Sequence, residues 1–239
     1  ATDGPDTGWP TPEPPHRINQ IYLEPILSER AAATAEISLY WHTEFKSLLQ
    51  TETGVTATLQ SINSGETVRA RCDYLVGCDG GSSTVRRSIG SRFGGDAVLQ
   101  LCQSSFIRSE TLIRMQSEAA AWSTISLNPR RSGNVYAIDG KELWIIHNYL
   151  REEETDFDSV DRDHSIRMIL GVDDLFRYDT LAHEDWIGRR LVADRFRDRR
   201  VFICGDAAHI WVPYAGYGMN AGIADAANLS WLLAAHLNG

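Results

Sequence analysis

Between Arg200 and Asn220 the chain reads Arg-Val-Phe-Ile-Cys-Gly-Asp-Ala-Ala-His-Ile-Trp-Val-Pro-Tyr-Ala-Gly-Tyr-Gly-Met-Asn, and a few of these positions can do chemistry. Four apolar residues, Val201 to Cys204, have the pattern of a buried strand, and Gly205-Asp206 follows at once. Gly205 lets a ligand approach the backbone, and the Asp206 carboxylate accepts hydrogen bonds from ligand hydroxyls. A loop with Pro213, Gly216 and Gly218 comes next, and a helical pattern starts near Asn220. The backbone of Gly218, Met219 and Asn220 stands at that helix start, where free N–H groups and a positive dipole end face the loop. The combination suits a polar, partly anionic cofactor.

A second stretch runs Tyr74-Leu75-Val76-Gly77-Cys78-Asp79-Gly80-Gly81-Ser82-Ser83-Thr84-Val85-Arg86. It is another apolar strand that ends in Asp-Gly, with Ser83 placed to cap a short helix through about Ile89. Alone, a strand ending in Asp79-Gly80 is an ordinary turn. Arg86 either serves a site or pairs with a local carboxylate. A third stretch, Arg17-Ile18-Asn19-Gln20, precedes Leu23-Glu24-Pro25-Ile26-Leu27. His209 reads equally as a general base and as a packed neutral imidazole. His42, His147, His164, His183 and His236 are assigned no role. Trp211, Tyr214 and Tyr217 crowd the loop, either to pack it or to touch an aromatic substrate. No catalytic residue is assigned.

The elements that must position these residues follow from pattern. Ile18 to Arg30 reads as a helix with Ile21, Leu23, Ile26 and Leu27 on its apolar face, interrupted by Pro25. Strands are expected over Ser38 to Leu49, Val55 to Gln60, Thr67 to Arg71 and Asp73 to Cys78. Beyond Gly90 the character changes. Runs at Ala97 to Ile107, Thr124 to Leu127, Asn134 to Ile138 and Glu142 to Tyr149 suggest an antiparallel sheet, with one helix near Val160 to Leu170. The fold class is therefore α/β: an incomplete, Rossmann-like cofactor domain with an inserted antiparallel-sheet domain. The expected divisions are a Pro-rich connector over 1–16, a first cofactor-domain part over 17–90, the sheet domain over 91–198 and a second cofactor-domain part over 199–239.

Composition narrows the partners. The 239 residues are 43% hydrophobic with a net charge of −9, which argues against nucleic-acid or anionic-membrane partners. No apolar run approaches the ~20 residues of a membrane span. Residues 1–15 lack the apolar core of a signal peptide. Cys72, Cys78, Cys102 and Cys204 contain no Cys-x-x-Cys pair, so they read as reduced thiols in a cytoplasmic protein rather than a metal site. Oligomeric state is not legible.

Taken together, Gly205 to Asn220 resembles the second flavin-binding motif of the FAD-dependent aromatic hydroxylases, the para-hydroxybenzoate hydroxylase family. That motif runs Gly-Asp-Ala-Ala-His, then two prolines, then glycines, then Gly-Met-Asn. Val212 stands where the first proline is usual, and Ala215 where the first loop glycine is usual. Asp79, Gly80, Ser83 and Arg86 match the family's Asp-Gly-x-x-Ser-x-x-Arg motif about 125 residues earlier, and Arg17 with Gln20 matches the segment whose glutamine meets the flavin. The resemblance implies an FAD monooxygenase that uses NADH or NADPH and O₂ to hydroxylate a small phenolic or other aromatic substrate. It implies a cofactor site of Gln20, Asp79, Gly205, Asp206, Pro213, Gly216, Gly218, Met219 and Asn220. Gly216-x-Gly218-x-x-Ala221 fits a dinucleotide fingerprint only as a pattern, because a loop and not a strand precedes it. No other Gly-x-Gly-x-x-Gly occurs, so the chain reads as an interior fragment or a truncated relative. The alternatives are a flavin scaffold without competent FAD binding, or another oxidoreductase of the fold such as a halogenase, whose Gly-Trp-x-Trp-x-Ile-Pro signature is absent.

Overall fold

The structure, a computed structural model, describes residues 16–115, 121–213 and 216–239. Most of the expected connector, and Tyr214 and Ala215 of the loop, lie outside the described residues. The chain divides into two compact units, 1–41 and 42–239. In the first, helix α1 spans Gln20–Ala32 with Pro25 inside it, two residues later at each end than the pattern predicts. Proline has no N–H to give to the preceding turn, so this helix forgoes one internal bond. Gln20 donates from Nε2 to Glu24 one turn on, at 2.5 Å.

The second unit opens with an antiparallel sheet of β1 (Thr43–Gln50), β2 (Val55–Ser61) and β3 (Thr67–Cys72). The strand expected from Ser38 begins only at Thr43, because His42 takes a positive φ of 53° that turns the chain. Next, β4 (Leu75–Gly77) pairs in parallel with β11 (Val201–Ile203), and β10 (Arg197–Asp198) flanks β11 antiparallel. Each parallel strand leads toward a helix: α2 (Thr84–Ser88) after β4, and α5 (Gly218–Asn238) after β11.

Five strands between β4 and β11, joined by β12 after β11, form a six-stranded antiparallel sheet of order β12-β9-β5-β8-β7-β6. Its members are β5 (Phe93–Arg108), β6 (Ser123–Ser126), β7 (Gly133–Ala137), β8 (Leu143–Tyr149), β9 (Asp179–Ala193) and β12 (His209–Ile210). A short α3 (Leu112–Met115) follows β5, and α4 (Arg162–Leu170) precedes β9. The α/β class with an inserted antiparallel sheet is the one expected. The sequence reading missed β9. Its first half, Asp179 to Asp185, is exposed and carries Asp, His and Glu without apolar alternation, so the pairing with β5 supplies what the pattern lacks.

Two cores hold the unit. One packs Val55, Val85, Ile89, Val201, Ile203 and Ala207 directly beneath the strand ends that follow β4 and β11. The other packs Ile107, Val135, Trp144 and Ile146 of the large sheet against Ile166 and Ile169 of α4. On that same face Arg131 is buried, bonded bidentately to Glu154 at 2.9 and 2.6 Å. Such paired, hydrogen-bonded burial is what makes a buried charge tolerable.

Candidate cofactor site

Parallel pairing is what brings the two motifs together. Ile203 lies opposite Gly77, and the Cys204 N–H donates to the Gly77 carbonyl at 3.1 Å. The segments beginning at Cys78 and at Cys204 therefore leave the sheet side by side, with the Cys78 and Cys204 sulfurs 3.3 Å apart. Gly77 is small for a packing reason: a Cβ there would lie 2.5 Å from the Val85 Cβ. That absence lets α2 seat itself on β4.

The Asp79 carboxylate is used inside its own turn. It accepts from the Ser83 hydroxyl at 2.5 Å and from the N–H groups of Thr84 and Val85 at 2.7 and 3.1 Å. Ser83 caps α2 by accepting from the Arg86 N–H at 2.8 Å. Burial works to raise the Asp79 carboxyl, but the hydrogen bonds from Ser83, Val85 and Thr84 outweigh it and hold it below the usual carboxylate range.

The hydrogen bonds of the Arg86 guanidinium go to backbone carbonyls and not to a local carboxylate. Its side chain is buried. One guanidinium nitrogen donates to the Ala207 carbonyl at 3.0 Å and the other to the Gly81 carbonyl at 2.9 Å. The group also lies over the Phe93 ring, 3.6 Å from its centroid. Arg86 is thus a bracket between the Asp79 turn and the Gly205 turn. Burial, with Arg87 nearby, lowers its pKa against the opposing effect of Asp79.

Asp206 differs from Asp79. It is exposed, and its carboxylate has no hydrogen-bond partner among the described residues. Gly205, at φ +60°, makes the turn just before it. A Cβ on Gly205 would lie 3.8 Å from the Gly222 Cα of α5, so loop and helix meet backbone to backbone. The Gly205 N–H donates to Asp225 Oδ2 at 2.8 Å, and His209 Nε2 donates to the same oxygen at 2.7 Å. Asp225 was not found in the sequence. The signal was present: it is an acidic residue three positions after Gly222, on the helix face that packs. The His209 ring also stacks on Trp211, 5.0 Å between centroids, so this imidazole is committed to holding the loop against α5.

Helix α5 begins at Gly218, and its first internal bond of the α type runs from the Ala221 N–H to the Tyr217 carbonyl at 2.8 Å. Among the described residues, no carbonyl accepts from the N–H groups of Gly218, Met219 and Asn220, the first-turn donors of the helix. From Gly222, beside Gly205, to Gly218 is four residues, about 6 Å of helix, so the helix start stands about one turn beyond the strand-end turn. Gly216, at φ +67°, donates its N–H to the Pro213 carbonyl at 3.1 Å. The Asn220 side chain lies 3.5 Å from the Gly216 carbonyl. The second unit thus gathers Asp79, Gly205, Asp206, Pro213, Gly216, Gly218, Met219 and Asn220 on the segments that follow β4 and β11. Gln20 lies in the other unit.

A carboxylate with no partner among the described residues, a glycine turn and the first turn of a helix offer acceptor and donors to a ligand that carries both hydroxyls and acidic groups. Those are the features of a flavin dinucleotide, and the residues present fit it. Comparison with known proteins agrees. A protein of Streptomyces halstedii named as a polyketide hydroxylase is 36% identical over 226 residues, covering 92% of this chain and 40% of that one. The ternary complex of aklavinone-11 hydroxylase with FAD and aklavinone superposes with a TM-score of 0.83 at 26% identity, covering 93% of this chain and 42% of that one. The flavin-dependent monooxygenase PieE, in complex with FAD and substrate, superposes with a TM-score of 0.82 at 28% identity, covering 93% and 39%. The chain spans about two fifths of the length of such relatives. The family described as "FAD binding domain" matches residues 8–239, and the chain belongs to that family.

Proposed function

We propose that this chain carries the flavin-binding and substrate-facing part of an FAD-dependent monooxygenase that hydroxylates a phenolic or other aromatic compound, using NADH or NADPH and O₂. The observation that carries the reading is the Asp206 carboxylate, without a partner among the described residues, near the start of α5. Relatives named for hydroxylation of polyketides and of 3-(3-hydroxyphenyl)propionate support the aromatic substrate class. No helix among the described residues is long and apolar enough to cross a membrane. We place the protein in the cytoplasm, where its four cysteines are free thiols. The division into a cofactor domain over 17–90 and 199–239 and a sheet domain over 91–198 is proposed on the same grounds.

In this reading Asp206 accepts hydrogen bonds from ribityl hydroxyls, and the Gly218 to Asn220 backbone stabilises negative charge at the pyrimidine edge of the reduced ring. Bound flavin supplies the activation of O₂ and the transfer of one oxygen atom. The remaining contribution of the chain is orientation and exclusion of water by the loop from Pro213 to Gly218. Asp79 serves through its backbone, since its carboxylate is engaged by α2.

The test is a coupled assay of the FAD-loaded protein against a set of phenols. Nicotinamide and O₂ should disappear in near-equal amounts and the product should be one oxygen heavier. Pro213→Gly should raise the share of oxygen released as hydrogen peroxide several-fold. Peroxide as the only product with every phenol would overturn the hydroxylase reading.

A further inference from the structure

The large sheet has a second centre of chemistry, on the face opposite α4. Side chains alternate along a strand, and directly paired residues share a face. Ser104 of β5 pairs with His147 of β8, and Cys102 pairs with both Tyr149 and Trp186 of β9. Ser104, His147, Tyr149 and Trp186 therefore point away from the Ile107 and Trp144 core. All four are half-buried. Trp186 Nε1 donates to the Ser104 oxygen at 2.6 Å, and that oxygen lies 2.6 Å from His147 Nδ1.

Counting protons fixes the ring. A serine oxygen that accepts from Trp186 still has one hydrogen to give. Two acceptors stand beside that hydrogen, His147 Nδ1 at 2.6 Å and the Cys102 sulfur, and sulfur is the weaker acceptor, so the hydrogen goes to Nδ1. Nδ1 then carries no proton, and Nε2 carries one. Nε2 has no partner among the described residues, and no buried side-chain nitrogen or oxygen among them is left unsatisfied; Nε2 therefore meets open space. Burial pushes the imidazole down to about 4, so it stays neutral at ordinary pH.

Aromatic rings surround this imidazole. Tyr136 stands edge-on to His147 at 5.2 Å, Trp186 at 5.7 Å, and Tyr149 is tilted at 6.2 Å. Asn134 fixes the two tyrosines by donating to their hydroxyl oxygens at 2.9 and 3.1 Å. The same face meets the cofactor loop. Gly188 lies two residues from Trp186 on that face, and a Cβ there would lie 2.6 Å from Val212 Cγ1.

We propose that His147 reads an oxygen atom of the aromatic substrate: it presents a neutral Nε2–H donor within an aromatic cage, and Ser104 is the positioning residue that fixes its tautomer. The proposal rests on the hydroxylase reading for the identity of the ligand. The cage favours a planar ring through edge-to-face contact, and the donor requires a phenol or carbonyl oxygen on it. A site that donates a hydrogen bond rejects an analogue without the acceptor far more strongly than it rejects a small change in size.

The probes are 1-naphthol and 1-methylnaphthalene, which match in size and differ in the oxygen. Binding to the FAD-loaded protein is followed by perturbation of flavin absorbance, and FAD affinity is measured separately. Wild type should prefer 1-naphthol by about tenfold or more. His147→Phe should retain FAD and bring the ratio near one, and His147→Gln, which keeps a side-chain N–H donor, should restore part of it. A long-range proton–nitrogen spectrum of labelled histidine should show His147 as a single Nε2–H tautomer. Ser104→Ala should turn it into a mixture, and Ser104→Thr should restore it. An unchanged ratio in a His147→Phe protein that holds FAD would overturn the proposal, as would a wild type without preference or a ring protonated at Nδ1. Loss of FAD binding in the wild type would instead strike the flavin reading.

Discussion

The segments that follow β4 and β11 carry almost the same chemistry to the same place, Asp79-Gly80 in one and Gly205-Asp206 in the other. Their carboxylates end in opposite states. Asp79 is consumed by α2, with a hydroxyl and two N–H groups on its oxygens. Asp206 has no partner among the described residues; it lies in a single 3-10 turn, and the next α-helix starts only at Gly218 and is anchored to that turn through Asp225 instead. One aspartate builds the scaffold, and the other is the one proposed to meet the ligand. Residue type and strand position do not decide which is which; the distance to the following helix does.

The largest expected effect comes from removing what joins the two turns. Arg86→Ala strips donors from the Ala207 and Gly81 carbonyls and the cation from the Phe93 ring. Each carbonyl left unsatisfied costs about 1–3 kcal/mol, so the loss should reach ~3–5 kcal/mol. Urea unfolding measures it, and FAD affinity should fall as well. Arg86→Lys, which cannot span both carbonyls, should recover only part. A stable, flavin-binding Arg86→Ala protein would show that the turns are held independently.

Acid should expose the role of Asp79 by a smaller effect. The Asp79 carboxyl is held below its ordinary value in the folded state. Its contribution is thus present above the unfolded carboxylate pKa and is lost as pH falls through the lower folded value. Asp79→Asn should lower stability near neutral pH by about 1–2 kcal/mol, the usual size of a cap, and flatten the loss of stability below about pH 4. Denaturant midpoints across pH give the comparison, and identical acid limbs for wild type and Asp79→Asn would remove the cap from the account.

Much of this arrangement was legible. The strand–Gly–Asp sequence located the β11 turn, Ser83 announced the cap of α2, and the Gly-Met-Asn triplet marked the start of α5 within two residues. Three things were not legible, each because it depends on partners distant in sequence. Arg86 finds its acceptor 121 positions away. Asp225 matters only because Gly222 lets α5 touch Gly205. His147, assigned no role from its neighbours in sequence, acquires one through Ser104 and Trp186 on two other strands. Strand β9 was missed for the same reason, since its polar half is a strand only by virtue of β5 beside it.

The central claim is that Asp206 is kept free to bind the cofactor, and one paired measurement addresses it. FAD affinity from flavin fluorescence, and stability from urea unfolding, are determined on wild type, Asp79→Ala and Asp206→Ala. Asp206→Ala should change stability by no more than about 0.5 kcal/mol. It should weaken FAD binding roughly tenfold to a hundredfold, as expected for a lost charge-assisted hydrogen bond. Asp79→Ala should do the reverse, losing about 1–2 kcal/mol of stability with a much smaller change in affinity. If Asp206→Ala binds FAD as tightly as wild type, or if the two substitutions exchange their effects, the account is contradicted.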